Sequence, residues 1–457
     1  MKKELWLAAA LLAYAAGRWL PPLGGLNEAS QAALAVTVAG TILWITEAVP
    51  LGAAALVVIV LLAINPGMGL PDAVQGFTSE VTFFLIGVAA IGTAVETSGL
   101  ARRTALYLAR SAHGRPGRLY LQMILGLPAL ALLVPSAITR NAILIPAYRE
   151  ALDGMGVGKS GRAGRALMLA LGMLNPLASS ALLTGGISSI AAATLLGGFS
   201  WLYWFALMAV PYYALIVSGA IWLRLMVGRF EDGARQASTV ATVTSFSGAE
   251  IKTLVVLALT AALWATDAWH RLSPAIPALI GATLLLAPRI GVLTWKQYEA
   301  KLSWGLILTV GASMSLARAM TVTGAASWLG GLFVDQLASV AAAPLAVVVL
   351  LVVAVAMVHL AITNLAACMA LLIPLAITIA EAAQLNPLIC GLVVTIAVDA
   401  VILYPVQTAS NLLAYEAGYF DVRDVRRLGF GMLVLTIAVA ILVLPYWSWL
   451  GLPLVRS

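Results

Sequence analysis

The sequence predicts an all-α polytopic membrane protein. Three observations carry that prediction: 62% of the 457 residues are hydrophobic, only 10% are charged, and apolar stretches recur from one end of the chain to the other. Soluble chains carry about a quarter charged residues, whereas a helix crossing the hydrocarbon layer needs roughly 17–25 mostly apolar ones. No stretch is polar enough for a separate soluble domain. The net charge of +7 gathers in short loops between apolar segments, where basic residues set orientation in the bilayer. It is not a nucleic-acid footprint, so the bilayer and not a nucleic acid is the expected partner.

The first segment, MKKELWLAAALLAYAAG, has the lysines and apolar run of a signal peptide. It reads as an uncleaved first span, because everything after it is also apolar. Spans are expected at about 4–23, 29–48, 50–66, 80–97, 165–195, 202–223, 250–268, 275–288, 304–321, 386–415 and 430–450. Two other apolar stretches, 119–148 and 343–382, behave differently. The first is flanked on both sides by arginines and lysines: Arg102, Arg103, Arg110, Arg115 and Arg118 before it, Arg149, Lys159, Arg162 and Arg165 after it. Two complete crossings need about 40 residues, and a single crossing would strand one basic cluster outside. A re-entrant hairpin that turns near the midplane at VPSAITRN meets both conditions, if protein or water covers the broken backbone. Ordinary pairs of spans would keep the same sides, and only the short length of 119–148 argues against them. Counting from a cytoplasmic Lys2-Lys3 puts the loops at Arg224/Arg229/Arg235, Arg289/Lys296/Lys301 and Arg423/Arg426/Arg427 inside. Glu28, Asp72 and Asp335 fall outside with the C-terminus, and Arg271 is the main exception.

The chain repeats itself at an offset of about 220–228 residues. LWITEAVPLGAAAL (43–56) matches LWATDAWHRLSPAIPAL (263–279), and FFLIGVAAIGTAVETSGLA (83–101) matches LILTVGASMSLARAMTVTGAA (306–326). AILIP (142–146) matches MALLIP (369–374), and LLTGGISSIAA (182–192) matches YPVQTASNLLA (404–414). The expected units are an N-terminal helix (1–28), a first repeat (29–235), a polar linker (236–249) and a second repeat (250–457). Five spans plus a hairpin per unit invert the second unit, which places a binding site at the midplane between the halves.

The candidate site follows from the breaks. Pro135 and Ser136 open a half-helix whose N-terminal amides attract anions, with Thr139, Arg140 and Asn141 in its first turns. Thr363 and Asn364 mark the equivalent break in the second half. Gly185-Gly186 allows unwound backbone in TGGISS (184–189), and Thr408 and Asn411 supply oxygens in QTASN (407–411). Ser136, Thr139, Arg140, Asn141, Thr363, Asn364, Thr408 and Asn411 are therefore the expected substrate ligands. Ser136, Gly185, Thr363, Asn364 and Thr408 are the expected cation ligands. Na⁺ is the candidate coupling ion, and no resident metal or organic cofactor is expected.

At these residues the sequence resembles the divalent anion/Na⁺ symporter family, the dicarboxylate, citrate and sulfate carriers of the ion-transporter superfamily. The resemblance spans nearly the whole chain: WITEAVPL, both hairpins, and PVQTASN where the family often has a Thr-Pro-Pro-Asn-like break. It implies eleven spans and two re-entrant hairpins, a homodimer in the inner membrane, and an elevator-type movement. It also implies Ser-Asn-Thr motifs at both tips, binding substrate carboxylates and two sodium ions. Here the first tip reads Ser136-Ala137-Ile138 followed by Thr139 and Arg140, and the second reads Thr363-Asn364-Leu365.

Arg140 is the departure that matters. A guanidinium near the midplane costs several kcal/mol unless paired or hydrated, and its fork suits bidentate carboxylate binding. It reads as a fixed substitute for a sodium charge, a direct substrate ligand, or both, or else as a pin that holds the hairpin by pairing with a protein carboxylate or backbone carbonyls. Asp399, in TIAVDAVILYP, is a candidate proton or cation carrier or else a hydrogen-bonded structural group. His359, beside the second tip, either titrates or acts as a hinge. Glu47 and Asp267 read as structural, Arg318 as snorkelling, and Cys368 and Cys390 as packing residues. Trp201, Trp204, Trp447 and Trp449 read as an interfacial belt.

The function this supports is secondary active transport of a small divalent anion, a C4-dicarboxylate, citrate-like acid or related oxyanion, coupled to Na⁺, H⁺ or anion exchange. The alternative is a cation/proton antiporter or arsenite-type permease, which would lean on Asp399 and have no use for Arg140. An intramembrane enzyme is weakest. There is no HExxH or GxSxG, His113, His270 and His359 lie far apart, and no GxxxxGK[ST] provides for a nucleotide.

Overall fold

The computed structural model describes residues 2–455 except 47, 67, 101–102, 104–106, 108–111, 113, 135, 231–244, 303, 327, 329–342 and 362–364. Glu47, Pro135, Asp335, Thr363, Asn364 and most of the expected linker lie outside the described residues. The described residues are folded as helices joined by turns and short breaks, and a helix gives every N–H and C=O the internal partner that backbone in hydrocarbon needs. The principal helices are α1 (Lys2–Trp19), α2 (Glu28–Thr46), α3 (Leu51–Ala63), α4 (Glu80–Ser98), α5 (Pro116–Leu133) and α6 (Ala137–Gly154). They continue with α7 (Arg162–Met173), α8 (Asn175–Ser180), α9 (Ile187–Leu195), α10 (Trp201–Val227), α11 (Gly248–Ala265) and α12 (Ala275–Leu286). The last are α13 (Trp304–Val322), α14 (Pro344–Ala361), α15 (Leu365–Ala382), α16 (Pro387–Ala400), α17 (Ala409–Glu416) and α18 (Val422–Leu442).

Polar residues set the ends. Ser200 accepts from the Tyr203 amide at the start of α10, and Ser247 with Glu250, and Asp421 with Asp424, form reciprocal capping boxes on α11 and α18. Among the described residues, α10, α11 and the run Val422–Trp449 are long and apolar enough to cross a membrane by length and composition. The other apolar helices are shorter or lie beside a break.

One group of helices packs reciprocally between the two halves of the sequence. α4 lies against α12, and its counterpart by sequence offset, α13, lies against α3. The contacts are close because glycines remove side chains from them. Gly87 faces Ala278, and Gly76 donates its amide to Ser315 Oγ at 2.9 Å. A Cβ on Gly76 would collide with the Gly311 carbonyl and the Ser315 backbone. Gly76→Ala is therefore expected to lower the melting temperature in detergent, with an overpacking cost of roughly 1–3 kcal/mol. Gly158→Ala, where a Cβ meets nothing within 4 Å, is the matched control and is expected to melt with wild type.

The second group is built from breaks. α5 and α6 are separated by residues 134–136, and the N-terminal end of α5 returns to meet the segment after α6. Tyr120 donates to the Ala220 carbonyl at 2.8 Å and packs edge-on to Phe230 with ring centres 5.5 Å apart, while Arg162 donates to the Arg229 carbonyl at 3.3 Å. Both arms thus reach the same end of α10. α6 packs on α7 and α17, and its counterpart α15 packs on α16 and α9. Each helix that follows a break rests on a broken segment from the opposite half.

The region expected as one span, 165–195, is instead α7, α8, a 3₁₀ turn at Leu183–Gly185 and α9. The Trp belt also needs correction. Trp204 and Trp447 are fully buried and Trp201 nearly so, while Trp449 is exposed. The three buried indoles donate inward, to the Ser180 carbonyl, the Leu207 carbonyl and Thr184 Oγ1 respectively. α10 turns this face toward the broken segment, so its rings fill core space. Cys368 and Cys390 are buried free thiols.

Candidate functional site

The first break is capped as the sequence anticipates. Val134 leaves α5 in an extended conformation, and Ser136 Oγ accepts the Thr139 amide at 3.2 Å to start α6. Ser136 is exposed and Thr139 half-buried, so these two side chains present the tip. One turn further, Arg140 and Asn141 point the other way, into protein.

Arg140 is 1% exposed. Its Nε donates to Asn175 Oδ1 at 2.7 Å and Nη1 to the Val134 carbonyl at 2.6 Å. Nη2 donates to the Asn175 carbonyl at 2.7 Å and to Ser179 Oγ at 2.6 Å. These four acceptors are neutral oxygens, two of them backbone carbonyls: Val134 at the break after α5, and Asn175 at the start of α8. Asn141 extends the network. Its Nδ2 donates to the Leu171 and Ser410 carbonyls and to Ser410 Oγ, and its Oδ1 accepts from Asn175 Nδ2 at 2.8 Å. One asparagine thereby joins α6, α7 and α17.

The second half has its own fastening. Gln407 Nε2 lies 3.0 Å from His359 Nδ1 at the end of α14 and also donates to the Val401 carbonyl, while its Oε1 accepts the Leu403 amide. Thr408 Oγ1 caps α17 by accepting the Asn411 amide at 3.3 Å, and Asn411 Nδ2 reaches the Tyr404 carbonyl. Gly185 lies against Ser179, where any Cβ would strike the serine backbone, so the chain folds tightly beside the Arg140 cage.

Asp399 forms a third element. Tyr212 donates to its Oδ2 at 2.6 Å, and Ser180 and Ser188 lie beside it. Arg140 hydrogen-bonds to Ser179, and Asp399 lies beside the next serine, Ser180, at the end of α8. A short helix lies between a buried cation and a buried carboxylate.

Of the residues read from the sequence, Ser136, Thr139, Arg140, Asn141, Gly185, Thr408 and Asn411 converge on the breaks, with His359 and Asp399 beside them. Arg140, Asn141 and Asn411 are sealed between helices and face protein oxygens; Thr363 and Asn364 lie outside the described residues. Sequence reasoning missed Asn175, Ser179, Ser180, Gln407 and Ser410, which carry most of the hydrogen bonds. Asn175-Pro176 was the available signal, an Asn-Pro break in an apolar run followed by two serines. Tyr212 gave no signal, since α10 is apolar on every face.

The family profile described as the sodium:sulfate symporter transmembrane region matches residues 2–453. The chain is 26% identical to a membrane protein of Cupriavidus necator, over 94% of its own length and 90% of the relative's. It is 22% identical to the sodium-dependent dicarboxylate transporter SdcS of Staphylococcus saprophyticus, over 92% and 86%. A shorter stretch, 37% of this chain, is 33% identical to human solute carrier family 13 member 2. In fold it resembles the Alcanivorax borkumensis YdaH transporter, with a TM-score of 0.58, 14% identity, and coverage of 91% of this chain and 100% of that one. An all-α membrane transporter and not an enzyme, the chain belongs to the sodium:sulfate, divalent-anion symporter family.

Proposed function

We propose that the protein is a secondary active transporter of small divalent anions, such as a C4-dicarboxylate, a citrate-like acid or a related oxyanion, in which Arg140 supplies a built-in positive charge. The Arg140 cage carries this reading. Unwound carbonyls and side-chain oxygens around a break are the ligand set that transporters use for Na⁺, and here a guanidinium sits among them. It cannot lose its proton, so the site beside the first tip stays positive without a bound ion. Ser136, Thr139 and the amide end of α6 would meet the anion from one side. Thr363, Asn364 and Thr408 would meet it from the other and provide for one coupling cation.

The architecture follows the same reading. Residues 29–235 and 250–457 form inverted repeats, with re-entrant hairpins at 119–148 and 343–382. The return of α5 and the segment after α6 to one end of α10 supports the first hairpin, and the reciprocal pairing of α4 with α12 and α13 with α3 supports the inversion. The group built on the breaks would move as an elevator against the α3, α4, α12 and α13 group. The protein would act as a homodimer in the inner membrane, with its N-terminus cytoplasmic and its C-terminus outside. A cation/proton antiporter could use Asp399, but a fixed guanidinium next to the site disfavours a cationic substrate.

Uptake of labelled succinate, citrate and sulfate into proteoliposomes, with and without a Na⁺ gradient, tests the reading. Concentration of at least one of these anions is expected, and failure to concentrate any would reject it. Thr139→Ala is expected to raise KM by at least about tenfold, since one hydrogen bond to a charged group contributes roughly 1.5–3 kcal/mol. An unchanged KM would remove the tip from the binding site.

A further inference from the structure

A cavity of about 980 Å³ opens between the first half of α5 and the last turns of α10, away from the breaks. That volume is at the upper end of ordinary ligand pockets, roughly 300–1,000 Å³. Its two ends differ in chemistry. At one end stand Arg115, Arg224 and Arg229. Arg224 is fixed in place by a hydrogen bond to the Gly228 carbonyl and by stacking 4.1 Å above the Phe230 ring, and Arg162 joins the cluster through the Arg229 carbonyl. Along the walls run Leu121 and Leu125 from α5 and Ile221 and Leu225 from α10, each more than half exposed.

We infer that this cavity is a binding site for one anionic phospholipid, its phosphate among the three arginines and an acyl chain along the leucine and isoleucine walls. The charge division argues for an amphiphile. A soluble anion would gain nothing from a wall of exposed aliphatic side chains, and an apolar helix of another chain would bury three guanidinium groups with no counter-charge, which is costly. Basic pockets between membrane helices on the cytoplasmic side are the usual setting for acidic headgroups, and the basic loops here mark that side. The lipid would fill the seam between the first arm of the hairpin and α10 at the point where both arms converge. The inference uses neither Arg140 nor the identity of the transported anion.

The full-length protein in detergent is titrated with phosphatidylglycerol, with phosphatidylcholine of the same chains, and with inorganic phosphate, following melting temperature and lipid count by native mass spectrometry. Phosphatidylglycerol is expected to raise the melting temperature and saturate at one retained lipid per chain, with no such effect from the other two. Arg115 and Arg229 are exposed, so the double variant Arg115→Gln/Arg229→Gln folds and is expected to bind at least about tenfold more weakly, each charge contributing to headgroup attraction. Leu121→Trp, which fills the groove from its wall, is expected to reduce retention with the arginines intact. Equal stabilisation by phosphatidylcholine, saturation by inorganic phosphate alone, or unchanged lipid affinity in the double variant would overturn the inference.

Discussion

Replacing Arg140 with serine is expected to cut anion uptake at least tenfold at low Na⁺, and to make the residual uptake rise with Na⁺. The substitution removes one cation and leaves Val134 O, Asn175 O, Asn175 Oδ1 and Ser179 Oγ converging on the space it occupied. Each buried acceptor left unpaired costs about 1–3 kcal/mol. The gap is lined by neutral oxygens, and a small hard cation is the natural replacement. Arg140→Lys is expected to fall between serine and wild type: it keeps the charge but lacks the planar fork that serves two segments at once. Uptake against Na⁺ concentration, with thermal melting in parallel, separates the two roles. A variant that stays folded and loses uptake without any response to Na⁺ would make Arg140 a pin and nothing more. Full uptake by Arg140→Ser would remove it from the mechanism altogether.

The contrast between Arg140 and its partners shows where sequence ceases to be informative. An arginine in an apolar stretch declares that oxygens must be near it, since the membrane makes the alternative too costly. It cannot declare which oxygens. Asn175 and Ser179 lie 35 and 39 residues away, in a segment whose hydropathy reads as an uninterrupted span. Its breaks depend on Pro176 and on the contact between Gly185 and Ser179, neither of which alters the apolar average. The start of α6 was legible because a cap is a local feature: Ser136 stands where that helix begins. Lateral packing was not. Tryptophans near helix ends suit an interface or a core equally well, and only the facing of α10 toward α8 decided that Trp201 and Trp204 belong inside. Tyr212 lacked any periodic signal, because a helix buried on several faces has no polar stripe.

Asp399→Asn is expected to abolish the pH dependence of uptake while leaving anion exchange intact. Charge is the reason. Arg140, bonded to Ser179, and Asp399, beside Ser180, flank the end of α8, so an ionised carboxylate offsets the guanidinium, and a protonated one leaves the site with a net positive charge. A divalent anion is held better in the second case, because opposite charges attract strongly where water is scarce. Proton and anion would then move inward together, and uptake should rise as pH falls. Asparagine fixes the neutral condition permanently. Its carbonyl can still accept from Tyr212, so the hydrogen bond that holds α16 to α10 survives. The expected variant shows a flat pH profile, a KM no higher than that of wild type at low pH, and counterflow without accumulation driven by a proton gradient. Sulfate serves best for the measurement if it is carried, because its own charge does not change across the neutral range. An Asp399→Asn protein that still accumulates anion on a proton gradient, with the wild-type pH profile, would return Asp399 to a purely structural role.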